Sequence, residues 1–222
     1  SLCDRSIYIM KAEMPGPIVG KLVPKVRSTA TILYLIYVGM TVIQVILLLC
    51  GGMSLFDSLI HTFGTAGTGG FGIKADSIGS YSSYLQWVIT VFMILFGINF
   101  NLYYLILIKK AKVALSSGEL WCYLGIVFAS TAIITANVFP IYGGFLDSLK
   151  HSAFQVASII TTTGYSTTDF NLWPSFSKTV LILLMFVGGC AGSTGGGLKV
   201  SRVMILFKQM WREIIKTVHP RA

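Results

Sequence analysis

The chain has 222 residues, 54% of them hydrophobic and only 11% charged, with a formal net charge of +9. A soluble globule of that composition would lack the polar residues to cover its surface, so water is not the main solvent of this chain. Its basic excess sorts into a few segments and reads as a membrane-topology signal, with no nucleic-acid partner implied.

Residues 1–27 carry Arg5, Lys11, Lys21, Lys25 and Arg27 and read as a cytoplasmic N-terminal segment. The sequence begins at Ser1 without an initiator Met or a signal-peptide pattern, which reads as a piece of a longer chain. Cys3, Cys50, Cys122 and Cys190 show neither metal-ligand nor redox spacing.

Four stretches, 28–56, 77–108, 120–146 and 179–198, carry no charge. Each reaches the roughly 20 residues that a helix needs to cross a bilayer core of about 30 Å. They predict spans at 28–52, 80–108, 119–141 and 175–198 and an all-α membrane protein. Fourteen of the 17 basic residues lie in 1–27, in the loop 109–118 and in the tail 199–222, leaving Lys74, Lys150 and Lys178 for the other side. The positive-inside rule therefore predicts that both ends and the 109–118 loop are cytoplasmic.

An apolar segment too short to cross lies inside each pair of spans: SLFDSLIHTFGTAGTGGFG at 54–72 and FLDSLKHSAFQVASIITTTGYST at 145–167. Both open on Asp-Ser-Leu (Asp57, Asp147) with a His four residues after the Asp (His61, His151), and both reach a Thr-Gly pair (Thr68-Gly69, Thr163-Gly164). The openings are 90 residues apart and the Thr-Gly pairs 95, so the chain is a tandem repeat, 28–108 and 119–198, of span, half-helix, loop and span. An Asp or Ser at each opening suits a helix N-cap, and the Gly- and Thr-rich stretch that follows ends the helix.

Non-helical backbone at membrane depth leaves polar groups that cost several kcal/mol each in lipid, so it survives only when buried in protein or facing water. A half-helix C-terminus carries roughly half a negative charge. Carbonyls turned inward, with Thr hydroxyls, can replace the hydration shell of an alkali cation. The two loops thus predict a cation path. His61 and His151 read as packing or capping residues, and Tyr81, Tyr84, Trp87, Trp121 and Trp173 as interfacial anchors.

In the fourth predicted span, six of the ten residues from Gly188 to Gly197 are Gly. At about 1 kcal/mol each relative to Ala, they predict a break or loop. The segment from Gly192 to Lys199 departs from a phosphate-binding loop, which requires Gly where Leu198 stands, and no strand precedes it. No nucleophile, base and acid form an enzyme-like constellation.

At TAGTGGFG and TTTGYSTTDF, and at KAEMPGP before the first span, the sequence resembles the Trk/Ktr/HKT superfamily of cation uptake proteins, in its TrkH-like branch. The resemblance implies four span-loop-span repeats around one pore, of which this chain carries the second and third. It places the potassium filter at Thr68, Gly69, Thr163 and Gly164, flanked by Gly67, Gly70, Thr162 and Tyr165. It makes Gly188, Gly189, Gly192, Gly195, Gly196 and Gly197 part of an intramembrane gate. It further implies potassium as the only metal, no organic cofactor, a homodimer, a cytosolic nucleotide-binding regulatory subunit and residence in the bacterial cytoplasmic membrane. A tandem-pore channel of another family and a transporter with broken helices share parts of this pattern, but the first usually carries a TVGYG-type filter and the second intramembrane acids.

Overall fold

The computed structural model describes residues 26–218; the KAEMPGP segment lies outside them. Two 25-residue helices, α1 (Val26–Cys50) and α6 (Gly118–Tyr142), are each followed by a shorter one, α2 (Leu55–Ala66) and α7 (Phe145–Ile160). Each short helix leads through a loop into a further apolar helix, α3 (Ser83–Phe96) and α8 (Ser175–Phe186). The first unit continues through α4 (Phe100–Leu107) and α5 (Ala111–Leu115), and the second through a Gly-rich segment into α9 (Val200–Val218). Among the described residues the β pairing is an isolated bridge between Val187 and Leu198.

Helix α1 runs without a break to Cys50, where Gly51 and Gly52 follow. Helix α2 starts where the Ser54 side chain accepts the Asp57 amide at 3.1 Å. Of the Asp or Ser caps expected, Ser54 caps α2, whereas Gly144 stands at the N-cap of α7 without a side-chain bond, and Asp57 and Asp147 sit within the first turns. There they face the positive end of the helix dipole.

Four spans were expected from the uncharged stretches, the fourth broken at its glycines, and two helices, Ala30–Cys50 and Gly118–Tyr142, are long and apolar enough to cross a membrane. The 80–108 stretch is instead two helices bent by 90° at residues 97–99. Asn99 caps the second of them, its side chain accepting the Asn101 amide at 2.9 Å. The freed carbonyls are satisfied elsewhere in the protein, since Gly97 O accepts the Cys190 amide at 2.9 Å and Phe96 O accepts the Thr194 hydroxyl at 3.2 Å. Irregular backbone at this depth is permitted where protein covers it. The 175–198 stretch is helical only to Phe186, where the glycines begin.

Polar side chains are drawn inside the molecule beside its hydrophobic core, and many large apolar ones face outward. Ser58, His61, Thr62 and Thr65 of α2 and Ser148, Ser152 and Ser158 of α7 are buried, while Leu35, Phe128 and Leu183 are more than 60% exposed. Such an apolar exterior suits hydrocarbon as solvent. A core cluster of Leu48, Ile89, Met93, Phe154 and Tyr165 joins the two repeats, with α3 packed on α7.

Candidate functional site

The loops after α2 and α7 repeat one backbone pattern. Thr68 N bonds Thr65 O and Thr162 N bonds Ile159 O; Gly69 N and Gly70 N both reach Gly64 O, as Thr163 N and Gly164 N both reach Ser158 O. Thr68 and Thr162 have positive φ, 49° and 58°, and Gly70 and Gly164 follow at 64° and 88°. A β-branched residue in the left-handed region is an outlier that its surroundings must hold in place. The structural offset between the loops is therefore 94 residues, which corrects the alignment on Thr-Gly pairs: Gly70, and not Gly69, is the counterpart of Gly164, and Thr68 is the counterpart of Thr162. Sequence pairing of like with like slipped by one because Gly69 corresponds to Thr163.

The loops touch one another. A Cβ on Gly70 would collide with the Thr163 carbonyl, whereas one on Gly69 would meet only the Phe71 ring, at 2.7 Å. Tyr165, fully buried, reaches across from the second loop and donates its hydroxyl to Phe71 O at 3.0 Å. The Tyr165 carbonyl in turn accepts the Ser158 hydroxyl at 2.6 Å. Gly64 occupies the place in α2 that Ser158 holds in α7, and any Cβ there would strike the Tyr165 hydroxyl. Further out, Ile78 N donates to Ser166 O at 3.0 Å, and Gln86 holds the carbonyls of Ile78, Gly79 and Tyr81.

Both histidines pack. His61 lies 3.3 Å from the Tyr81 hydroxyl and meets the Tyr81 and Tyr165 rings edge-on. His151 stacks on Tyr142 and bonds the Thr167 hydroxyl at 2.9 Å. Tyr81 donates to Asp57 at 3.0 Å. The interfacial reading of Trp173 is corrected: it is buried, and its indole donates to Tyr142 at 3.0 Å.

The Gly-rich segment lies against the Thr68 and Thr162 ends of the loops. Its first glycine, Gly188, donates to Leu198 O, and Gly189 O accepts the Val200 amide at 3.1 Å, so the segment closes on itself. Gly192 O accepts the Phe100 amide at 3.1 Å. Gly195 O accepts from the Lys199 ammonium, Gly196 N bonds the Thr162 hydroxyl, and Gly197 takes φ 71°. The remaining anchor is Glu119 in the first turn of α6, whose carboxylate accepts the Ala191 amide at 2.6 Å. Sequence reasoning missed both Glu119 and Lys199. One signal was available: Glu119 is the only acid between Asp76 and Asp147.

Of the residues singled out, Gly67, Thr68, Gly69 and Gly70 thus lie together with Thr162, Thr163, Gly164 and Tyr165 at the ends of two half-helices, and the Gly188–Gly197 segment is packed beneath them. Thr hydroxyls are committed to protein: Thr163 pairs with the Thr161 hydroxyl at 2.8 Å, and those of Thr68 and Thr162 bond the Gly-rich segment.

A family model for TrkH, a cation transport protein, matches residues 4–119 and 146–222. The chain is 38% identical over 221 residues to the Trk system potassium uptake protein TrkH of Escherichia coli K12, covering 97% of this chain and 46% of that protein. It is 34% identical to the Trk system potassium uptake protein TrkG of the same organism, covering 96% of this chain and 45% of the relative. The crystal structure of the potassium transporter TrkH from Vibrio parahaemolyticus superposes with a TM-score of 0.86 at 31% identity, over 98% of this chain and 47% of that one. The chain therefore spans less than half the length of these relatives. With the helical fold, the apolar exterior and the paired loops, these matches settle its class as an all-α membrane protein, and the chain belongs to the TrkH family of cation transport proteins.

Proposed function

We propose that this chain supplies two of the repeats around a potassium-uptake pore. The observation that carries the reading is the pair of loops with one hydrogen-bond register, in contact at Gly70 and Thr163, each following the C-terminus of a half-helix. The negative ends of α2 and α7 favour a cation there, and backbone carbonyls of Gly67–Gly70 and Thr162–Tyr165 replace its water. The relatives named as potassium uptake proteins support potassium as the cargo.

Two loops do not close a ring, so the reading has two further repeats completing the pore. The Gly188–Gly197 segment acts as the gate, and its position against both loops supports that role. The same reading has the protein in the bacterial cytoplasmic membrane, with both ends of this segment cytoplasmic, as a homodimer whose cytosolic face meets a nucleotide-binding regulatory subunit. The basic residues Arg202, Lys208, Arg212 and Lys216 of α9 support a cytoplasmic face on that side.

The test is ion flux into vesicles holding the full-length parent protein, with potassium, rubidium and sodium compared. Potassium and rubidium entering well above sodium, with that preference lost in Gly69→Ser and Gly164→Ser, where an added Cβ meets the Phe71 ring and open space respectively, supports the filter; a preference untouched by both substitutions would remove it. Shortening the Gly188–Gly197 segment should raise flux with selectivity kept, and unchanged or lower flux would count against the gate.

A further inference from the structure

Thr68 and Thr162 are the same residue of the repeat. Each follows its half-helix by two positions, each adopts a left-handed backbone, and each makes the same amide bond three residues back. Both side chains also end on the Gly-rich segment, at points two residues apart. The Thr68 hydroxyl donates to Thr194 O at 3.1 Å, and the Thr162 hydroxyl accepts the Gly196 amide at 2.7 Å. Thr162 additionally donates to Thr161 O at 2.7 Å, so its hydroxyl is used in both senses. The bonds are of opposite polarity, one taking a proton to the segment and one receiving a proton from it.

The segment's own sequence suits this contact. A Cβ on Gly196 would lie 2.9 Å from the Thr162 hydroxyl oxygen, and one on Gly195 would lie 3.2 Å from Thr161 O. Thr194, between Ser193 and those glycines, turns its own hydroxyl the other way, to Phe96 O at the break between α3 and α4. One tripeptide, Thr194-Gly195-Gly196, is thus bonded at once to both loops and to the bent helix.

We propose that Thr68 and Thr162 form a two-point latch that holds the Gly-rich segment shut against the paired loops. This rests on the pore and gate reading above. The threonines are positioning residues: their hydroxyls hold the segment, while their carbonyls stay with the loops. Moving the segment out of the path requires both bonds to break, which takes the Thr68 hydroxyl off Thr194 O and leaves the Thr162 hydroxyl with its local bond to Thr161 O. The state of the segment and the shape of the inner loop ends are coupled through these two hydroxyls.

The experiment uses rubidium flux through the full-length parent protein in vesicles under conditions where the parent is mostly closed. Thr68→Val and Thr162→Val keep side-chain shape and remove the hydroxyl. Each should raise closed-condition flux roughly two- to tenfold, the effect of losing one net hydrogen bond. The Ser variants keep the hydroxyl and should retain more of the block than the Val variants. In a background with the 188–197 segment shortened, the Val substitutions should add nothing further, because the segment they restrain is gone. Val variants that leave flux unchanged where shortening raises it would overturn the latch and leave the gate standing. Val effects that are fully additive with shortening would also overturn it. Shortening without any rise in flux would overturn both readings together.

Discussion

The hydroxyl of Tyr165 donates to the carbonyl oxygen of Phe71 at 3.0 Å, so one repeat fixes a carbonyl of the other. The equivalent carbonyl in its own repeat, that of Tyr165 itself, is fixed locally by Ser158. The first repeat has no hydroxyl at that place, because Gly64 leaves room for the tyrosine ring.

Removing that hydroxyl should loosen one loop and spare the other. Tyr165→Phe is expected to lower stability by about 1 kcal/mol, the net value of a hydrogen bond, and to reduce discrimination of potassium from sodium. Thermal unfolding in detergent and paired flux measurements check both effects. Gly64→Ala, which drives a methyl into the Tyr165 hydroxyl, should cost more than Tyr165→Phe in both assays.

The two neighbouring glycines of the first loop should differ sharply. At Gly70 a methyl meets backbone of the second loop and the residue has φ 64°. At Gly69 it meets the Phe71 ring, which is 75% exposed in this chain and free to turn away. Gly70→Ala is expected to abolish potassium flux or cut it more than tenfold, the left-handed conformation alone costing an alanine about 1 kcal/mol. Gly69→Ala should retain measurable flux, and equal loss in the two variants would contradict the 94-residue register.

Glu119→Ala strips the acceptor from the Ala191 amide and should destabilise the closed Gly-rich segment. A hydrogen bond to a charged group is worth about 1.5–3 kcal/mol, so closed-condition rubidium flux should rise by roughly tenfold or more. Glu119→Gln keeps an acceptor oxygen and should fall between parent and alanine.

Asn99→Ala removes the cap at the head of α4, where the side chain accepts the Asn101 amide at 2.9 Å. A loss of about 1 kcal/mol in stability is expected, within the usual range for a cap. The thermal unfolding midpoint measures it; no change would mean that the break between α3 and α4 is held by the Gly-rich segment alone.

Much of this protein was determined by its sequence alone. Uncharged stretches are long-range averages of composition, so α1 and α6 could be read without knowing any contact. The half-helices could be read because Asp-Ser-Leu and Thr-Gly recur in step, and the Gly-rich segment because six glycines leave a helix little reason to continue. What the tertiary structure alone decided are the features in which one backbone answers another. The α3–α4 bend is held where the amides of Cys190 and Phe100 pair with Gly97 O and Gly192 O, about ninety residues away in the chain. Loop register followed carbonyl geometry and not residue identity, which is why Gly70 and not Gly69 matches Gly164. Glu119 and Trp173 look like ordinary boundary residues in sequence, and only packing turns the first onto the Ala191 amide and the second into the core. Hydrogen bonds between segments distant in sequence leave no periodic trace, since each needs only one donor and one acceptor brought to about 3 Å by the rest of the fold.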